Sequence, residues 1–182
     1  MKLILVRHPQ PEIDPGICYG STDLAVSPQQ RDHTLHALLA TLPETETLYS
    51  SPLRRCAELA ALLHTHRPTT QLSFDPRLAE MDFGSWEMRP WDDIPRQQVD
   101  AWAADLIDYR PGGGESVLQM AARVADIYHA IAGRRQDAII ICHAGTMRLM
   151  GALHAGLTPA QAALQAARAP MAIAYGATLI LD

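Results

Sequence analysis

Residues 2–10 read Lys2-Leu3-Ile4-Leu5-Val6-Arg7-His8-Pro9-Gln10, and this stretch decides the fold. Leu3, Ile4, Leu5 and Val6 form a short unbroken apolar run, the pattern of a strand buried on both faces. The run stops on a cation and an imidazole, and Pro9 removes the next ladder donor. Arg7 and His8 are thereby delivered to the carboxyl end of a central strand, the edge where open α/β sheets bind ligands. A second stretch repeats the device. Ala138-Ile139-Ile140-Ile141-Cys142 is another buried run that ends on His143, and Ala144-Gly145-Thr146 turns the chain into a helix. If both strands run parallel in one sheet, His8 and His143 emerge on the same side. Two histidines and an arginine at one edge suit an anionic substrate and imidazole chemistry.

At 182 residues the chain reads as a single domain with room for a sizeable core. Its net charge of −5 argues against a nucleic-acid partner, whose phosphates demand a basic face. A local basic pocket remains compatible with that balance. Cys18, Cys56 and Cys142 are odd in number and widely spaced, which fits free thiols in a reducing compartment. The first residues lack a cleavage-site pattern, so no signal peptide is expected. No apolar run approaches a membrane span, so the expected location is the cytoplasm, with no membrane partner.

Residues 9–26 are a long loop rich in Pro, Gly and Asp, and loops of that length usually carry function. Ser27-Pro28-Gln29-Gln30 reads as a capped helix start, with Leu35, Leu38, Leu39 and Leu42 at helical spacing. Short strands are expected at 47–50 and 72–74, and a helix from Ser51-Pro52 to His66. Arg54 and Arg55 fall in its first turn, where N-terminal amides attract anions. Residues 81–114 have the character of an insertion over the site. It includes a helix from Ile94-Pro95, with Val99, Trp102 and Leu106 on one face. Pro111-Gly112-Gly113-Gly114 reads as a mobile break. A long amphipathic helix then starts at Glu115-Ser116. After His143 come two more helices, the second stopped by Pro170, and a last strand region over 172–181 with a bend at Gly176.

The stretch V-R-H-P at Val6–Pro9 resembles the Arg-His signature of the histidine phosphatase superfamily, the phosphoglycerate-mutase-like fold. Three more stretches follow in the family's order. Ser50-Ser51-Pro52-Leu53-Arg54-Arg55 resembles S-S-P-L-x-R, and Leu78-Ala79-Glu80-Met81-Asp82-Phe83-Gly84-Ser85-Trp86-Glu87 resembles L-x-E-x-D-F-G-x-W-E-G, with Met88 in place of the last glycine. The run Pro111 to Ser116 resembles P-G-G-E-S with one extra glycine, and the strand ending on His143 completes the set. Cys18-Tyr19-Gly20-Ser21-Thr22-Asp23-Leu24 looks most like the α-ribazole phosphatase branch of cobalamin synthesis. Essentially the whole chain is covered.

The resemblance implies a three-layer α/β/α sandwich with a mostly parallel sheet, and a single domain over 1–182. It implies a metal-independent phosphomonoesterase that needs no cofactor and acts on a small-molecule phosphate ester, with α-ribazole 5′-phosphate the first candidate. His8 would attack phosphorus and carry the phosphoryl group. Arg7 and Arg55 would hold the phosphate through paired donors, a geometry that suits an oxyanion. His143 would donate to the transferring group. Glu80 would protonate the leaving alkoxide and later activate water, which calls for partial burial. Gly20, Ser21 and Thr22 would complete the substrate site. A monomer or homodimer is expected.

Each residue alone has a plainer reading: Arg7 and Arg55 as surface cations, His143 as a core imidazole, Glu80 as a solvated carboxylate. The ordered motifs carry the specificity. His33, His36, His64, His66, His129 and His154 fall on helices or their ends and read as surface residues. Trp102 reads as packing, whereas Trp86 and Trp91 stay open as walls for an aromatic substrate.

The chain departs from the family at Pro9, Pro11 and Asp14, which replace a glycine, a hydroxyl and an asparagine. Two side-chain donors to phosphate are thereby missing, and Asp14 would repel an anion if it pointed inward. Three rival readings follow. One is phosphoglycerate-mutase-type transfer, and another is a non-catalytic phospho-ligand-binding module. The third, a metallohydrolase, lacks ligands at a recognisable spacing.

Overall fold

The computed structural model describes residues 1–168 and 173–182. Among them are five strands: β1 (Leu3–Arg7), β2 (Thr47–Ser50), β3 (Gln71–Phe74), β4 (Ala138–Cys142) and β5 (Thr178–Leu181). They form one sheet in the order β3-β2-β4-β1-β5. The pairs β1–β4, β2–β4 and β2–β3 are parallel, and only β5 runs antiparallel, on the edge beside β1. Six α-helices accompany the sheet: α1 (Pro28–Thr41), α2 (Arg54–His66), α3 (Arg96–Ala104), α4 (Val117–Ala132), α5 (Ala144–His154) and α6 (Pro159–Arg168).

Side chains alternate across a strand, and that alternation builds the layers. Ile4, Val6, Ile139 and Ile141 face Leu35 and Leu38 of α1 and Leu59 and Leu63 of α2. Leu3, Leu5, Ile140 and Cys142 face the other way, onto Met120 and Val124 of α4, Met147 and Met150 of α5 and the small Ala162 and Ala163 of α6. Each buried aliphatic side chain contributes roughly 1.5–3 kcal/mol to holding its layer on the sheet. The result is the α/β/α sandwich expected from the sequence. The three cysteines are free thiols, all buried. Among the described residues, no helix is long and apolar enough to cross a membrane.

Local chemistry fixes the helix ends. Ser27 accepts the Gln30 N–H at 3.3 Å, and Pro28 follows at the first helical position. Ser116 and Gln119 form a full capping box at the start of α4. The start of α2 differs from the sequence expectation. Ser51 and Pro52 remain outside the helix, Leu53 is extended, and the helix begins at Arg54. The Asp23 carboxylate accepts the Arg54 N–H at 2.6 Å, so a carboxylate of the chain itself occupies that amide.

The glycine run at 111–114 is a 3-10 turn rather than an open break. Gly112 takes φ +59°, and a Cβ there would sit 2.2 Å from the Phe83 carbonyl oxygen, so the turn is seated against the 83–86 backbone. The last strand is shorter than the expected 172–181, because Gly176 at φ +71° turns the chain just before it. Pro170 and Ala172 lie outside the described residues.

Candidate active site

The register of the sheet assembles the site. Arg7 pairs with Cys142, the last residues of neighbouring parallel strands. The His8 N–H donates to the Cys142 carbonyl at 3.0 Å, and the Ser51 N–H donates to the Ile141 carbonyl at 3.0 Å. The chain therefore leaves β1, β4 and β2 at one level, with His8, His143 and Ser51 side by side. The two imidazole centroids are 5.0 Å apart and tilted by 59°.

His8 is almost fully buried, and its Nδ1 lies 2.7 Å from the Pro9 carbonyl oxygen. A carbonyl can only accept, so Nδ1 carries the proton and Nε2 keeps its lone pair. Pro9, which replaces the family glycine, has φ locked near about −65°. One of the two torsions that aim this carbonyl is thus fixed by the ring. Burial first, and then the Arg55 and Arg7 charges, push the His8 imidazole down to about 3. Burial also holds His143 well below its ordinary value, with the neighbouring His8 and Arg55 charges acting in the same direction. Both rings are neutral at physiological pH.

A chamber of about 210 Å³ opens beside His8, lined by Arg7, Ile17, Tyr19, Arg55, Glu80 and Trp91. The Arg55 side chain is fully buried, and it donates to the Thr22 carbonyl at 2.7 Å and the Gly20 carbonyl at 2.5 Å. Arg7 donates to the Ile173 carbonyl and lies 3.8 Å from the Tyr175 ring centroid. The Nε atoms of both arginines are buried without a hydrogen-bond partner among the described residues. Buried cationic donors are normally paired, and an oxyanion is the partner that suits two guanidinium groups in one chamber.

Glu80 stands half-buried on the chamber wall. Its Oε2 accepts the Gly145 N–H at 3.0 Å, and Oε1 accepts the Met81 N–H at 3.1 Å. Arg123 of α4 braces this segment from behind. It donates to the carbonyls of Arg77 at 2.9 Å, Ala79 at 2.8 Å and Glu80 at 3.2 Å, and its other edge pairs with Glu115 at 2.7 Å.

Of the residues expected to act together, Arg7, His8, Arg55 and Glu80 line one chamber. His143 sits behind His8, with its Nε2 at 2.8 Å from Ser51 Oγ, and is absent from the chamber wall. Gly20, Ser21 and Thr22 also stand off the wall. Gly20 and Thr22 seat Arg55 through their carbonyls. The amides and hydroxyls of Ser21 and Thr22 all converge on the Glu87 carboxylate, with Ser21 N at 2.8 Å and Thr22 N at 2.6 Å. Burial alone would raise the Glu87 carboxyl, yet the hydrogen bonds from Thr22, Phe83 and Ser21 win and lower it. Asp14 is exposed and lines a separate surface hollow with Glu12 and Met88, so its carboxylate does not enter the chamber.

Glu87, Arg123, Ser51 and the tyrosine pair were not singled out from the sequence. Tyr19 and Tyr175 meet over the chamber, with hydroxyls 2.7 Å apart. Glu87 was within reach as the last matched letter of the W-E segment, but the Ser21 and Thr22 groups it gathers lie more than sixty positions away. Met88, at the position where the family carries glycine, takes φ +63°, which explains the usual glycine. Trp86 is wholly buried and donates to Gln98 at 2.8 Å, so it is a core residue of the 81–114 segment. Trp91 is 37% exposed and reaches the chamber.

A mostly parallel sheet that ends in paired histidines, the buried Arg55 and the half-buried Arg7 defines an enzyme that handles a phosphoryl group. The chain belongs to the histidine phosphatase superfamily (branch 1), which it matches over residues 3–171, and it is a phosphatase. It is 30% identical over 158 residues to the adenosylcobalamin/alpha-ribazole phosphatase of Salmonella typhimurium, covering 82% of this chain and 77% of that protein. The alpha-ribazole phosphatase of Shigella flexneri has the same fold, with a TM-score of 0.81 at 24% identity over 100% of this chain and 90% of the other. So does mycobacterial glucosyl-3-phosphoglycerate phosphatase in complex with VO3, with a TM-score of 0.78 at 22% identity over 100% and 90%.

Proposed function

We propose that this phosphatase hydrolyses α-ribazole 5′-phosphate, in the cytoplasm, through a phosphohistidine on His8 and without a metal. One observation carries the reading. The Nδ1–H of His8 is tied to the Pro9 carbonyl, so a neutral Nε2 faces a chamber that also holds Arg7, Arg55 and Glu80. The arginines bind the phosphate dianion, and their unpartnered Nε atoms are the donors it would complete. Nε2 attacks phosphorus as the ester oxygen departs, and Glu80, which enters this step as the protonated acid, gives that oxygen its proton and is left as the carboxylate. Glu80 then takes a proton from water, which cleaves the phosphohistidine and regenerates His8.

His143 stabilises the charge in transfer. Its ring centroid is 5.0 Å from that of His8, within reach of a phosphoryl group carried there, and Ser51 Oγ at 2.8 Å from Nε2 holds the ring in place. Residues 81–114 act as an insertion of the single domain 1–182 that roofs the chamber, a reading supported by Trp91 in the wall.

The test is hydrolysis of α-ribazole 5′-phosphate in excess chelator, wild type beside His8→Ala, with acid quench and mass analysis of the peptide bearing residue 8. We expect turnover in the wild type, a labile phosphoryl adduct on that peptide, and neither in the variant. Turnover that chelator abolishes, or that His8→Ala retains, would falsify the mechanism. Adduct without hydrolysis would favour mutase-type transfer.

A further inference from the structure

The two arginines of the phosphate chamber are held in the same way. Arg55 gives its Nη atoms to the carbonyls of Thr22 at 2.7 Å and Gly20 at 2.5 Å, and the Tyr19 ring centroid lies 5.6 Å from its guanidinium carbon. Arg7 gives Nη1 to the Ile173 carbonyl, and the Tyr175 ring lies against its guanidinium at 3.8 Å. On both arginines Nε is buried without a partner among the described residues. The two rings are in turn joined, hydroxyl to hydroxyl, at 2.7 Å. We propose that Tyr175 is a positioning residue for Arg7, and that its bond to Tyr19 ties the two arginines into one clamp that meets a phosphate dianion as a unit. This rests on the reading of Arg7 and Arg55 as the phosphate holders.

An arginine side chain loses rotamer freedom when it is fixed, so a chamber that presents two of them must hold them before the anion arrives. A ring face attracts a guanidinium within about 6 Å, and the attraction grows as water is excluded. In Arg7 the ring takes the face and the Ile173 carbonyl takes one outer nitrogen, which leaves the Nε side for an oxyanion. The backbone around Tyr175 is fixed to the same stretch that carries Arg7. The Gly176 N–H donates to the carbonyls of Arg7 at 3.1 Å and His8 at 3.2 Å, and the Arg7 N–H donates to the Ala177 carbonyl at 2.9 Å. The Tyr175 ring also lies 5.6 Å from the His8 ring. It is nonetheless 39% exposed, so core burial is not what holds it there. Tyr19 belongs to the chamber wall. Burial and then the Tyr175 hydroxyl raise its phenol, so Tyr19 keeps its proton and the bridge persists at neutral pH.

Calorimetric titration with inorganic phosphate reads the clamp without turnover. Tyr175→Leu, which removes the ring, should weaken binding at least tenfold. Tyr175→Phe keeps the ring and loses the hydroxyl, and should weaken it about threefold, as should Tyr19→Phe. The double variant Tyr19→Phe/Tyr175→Phe should bind no more weakly than either single one, because all three lose the same bond. In turnover, Tyr175→Leu should lower kcat/KM by the same factor for α-ribazole 5′-phosphate and 4-nitrophenyl phosphate, which share only the phosphoryl group, and Tyr175→Phe should recover most of that loss. Wild-type phosphate affinity in Tyr175→Leu overturns the positioning role, as does a loss that Tyr175→Phe does not recover. Losses that multiply in the double variant overturn the shared bond. Where Tyr175→Leu melts early, the three phenylalanine variants decide the question. Phosphate binding that follows this pattern while His8→Ala retains hydrolysis supports the clamp and removes the phosphohistidine.

Discussion

Replacing Gly145 with alanine should disable proton delivery while leaving the fold nearly intact. Gly145 lies in the first turn of α5, and a Cβ built there would sit 2.3 Å from Glu80 Oε1, where ordinary contact begins at 3.4 Å. The carboxylate must therefore retreat by about 1 Å, and a misplacement of about 1 Å can cost on the order of 100-fold in rate. The retreat also breaks the 3.0 Å bond from the Gly145 N–H to Oε2. A hydrogen bond to a charged group contributes about 1.5–3 kcal/mol. Alanine returns about 1 kcal/mol of helix propensity. A net loss near about 1 kcal/mol lowers Tm by roughly 2–4 °C in a chain of this size.

The assay is kcat with α-ribazole 5′-phosphate beside 4-nitrophenyl phosphate. The first releases an alkoxide that needs a proton, and the second releases a stable phenolate. We expect a loss of about 100-fold on the first and under tenfold on the second. Equal losses on both esters would mean that the carboxylate serves binding or transfer rather than the leaving oxygen. Wild-type rates on both would refute the reasoning altogether.

Further outcomes follow from the same contacts. Arg123→Gln removes the brace behind Glu80, which should cost about 2 kcal/mol and roughly 4–8 °C in Tm, again with a larger rate loss for the alkyl ester than for the aryl ester. Losses of equal size on both esters would assign Arg123 to stability alone. Glu87→Gln frees Ser21 and Thr22, whose peptides seat Arg55, and should raise the inhibition constant of inorganic phosphate at least tenfold. Unchanged inhibition would unlink the clamp from the anion chamber. Met88→Gly relieves a left-handed conformation on a side chain that is mostly exposed, and should raise stability by roughly 0.5–1 kcal/mol by chemical denaturation. A destabilised variant would show that the Met88 side chain holds the turn.

Stability should also depend on pH through the buried imidazoles. Unfolded histidines titrate near about 6.5, whereas His8 in the folded chain titrates at about 3 and His143 well below the ordinary value. Between those limits the unfolded chain binds more protons, so stability rises with pH and is lost progressively as pH falls from about 6.5. Urea midpoints measured from pH 7 to pH 5 should fall steadily, and His8→Gln should flatten part of that slope. A slope unchanged in His8→Gln would mean that the ring is not held neutral.

The sequence by itself determined the two central strands, β1 and β4, and where they end. Two runs of buried aliphatics each stop on a polar residue, and local pattern is enough to deliver Arg7, His8 and His143 to one sheet edge once the strands are parallel. Arg55 and Glu80 were legible only through the resemblance of the ordered motifs to the family, since neither residue stands out by local pattern. Tertiary structure decided how they are held. Glu87 gathers Ser21 and Thr22 across more than sixty positions, Arg123 reaches the carbonyls before Glu80 from another helix, and Tyr19 meets Tyr175 from the far end of the chain. None of these pairings has a local signal, since each depends on which loops the sheet order brings together. The same is true of the place of His143 beside Ser51, off the chamber wall. A tryptophan reads alike in the sequence whether it fills a core, as Trp86 does, or reaches the chamber wall, as Trp91 does, and only the packing around it tells the two apart.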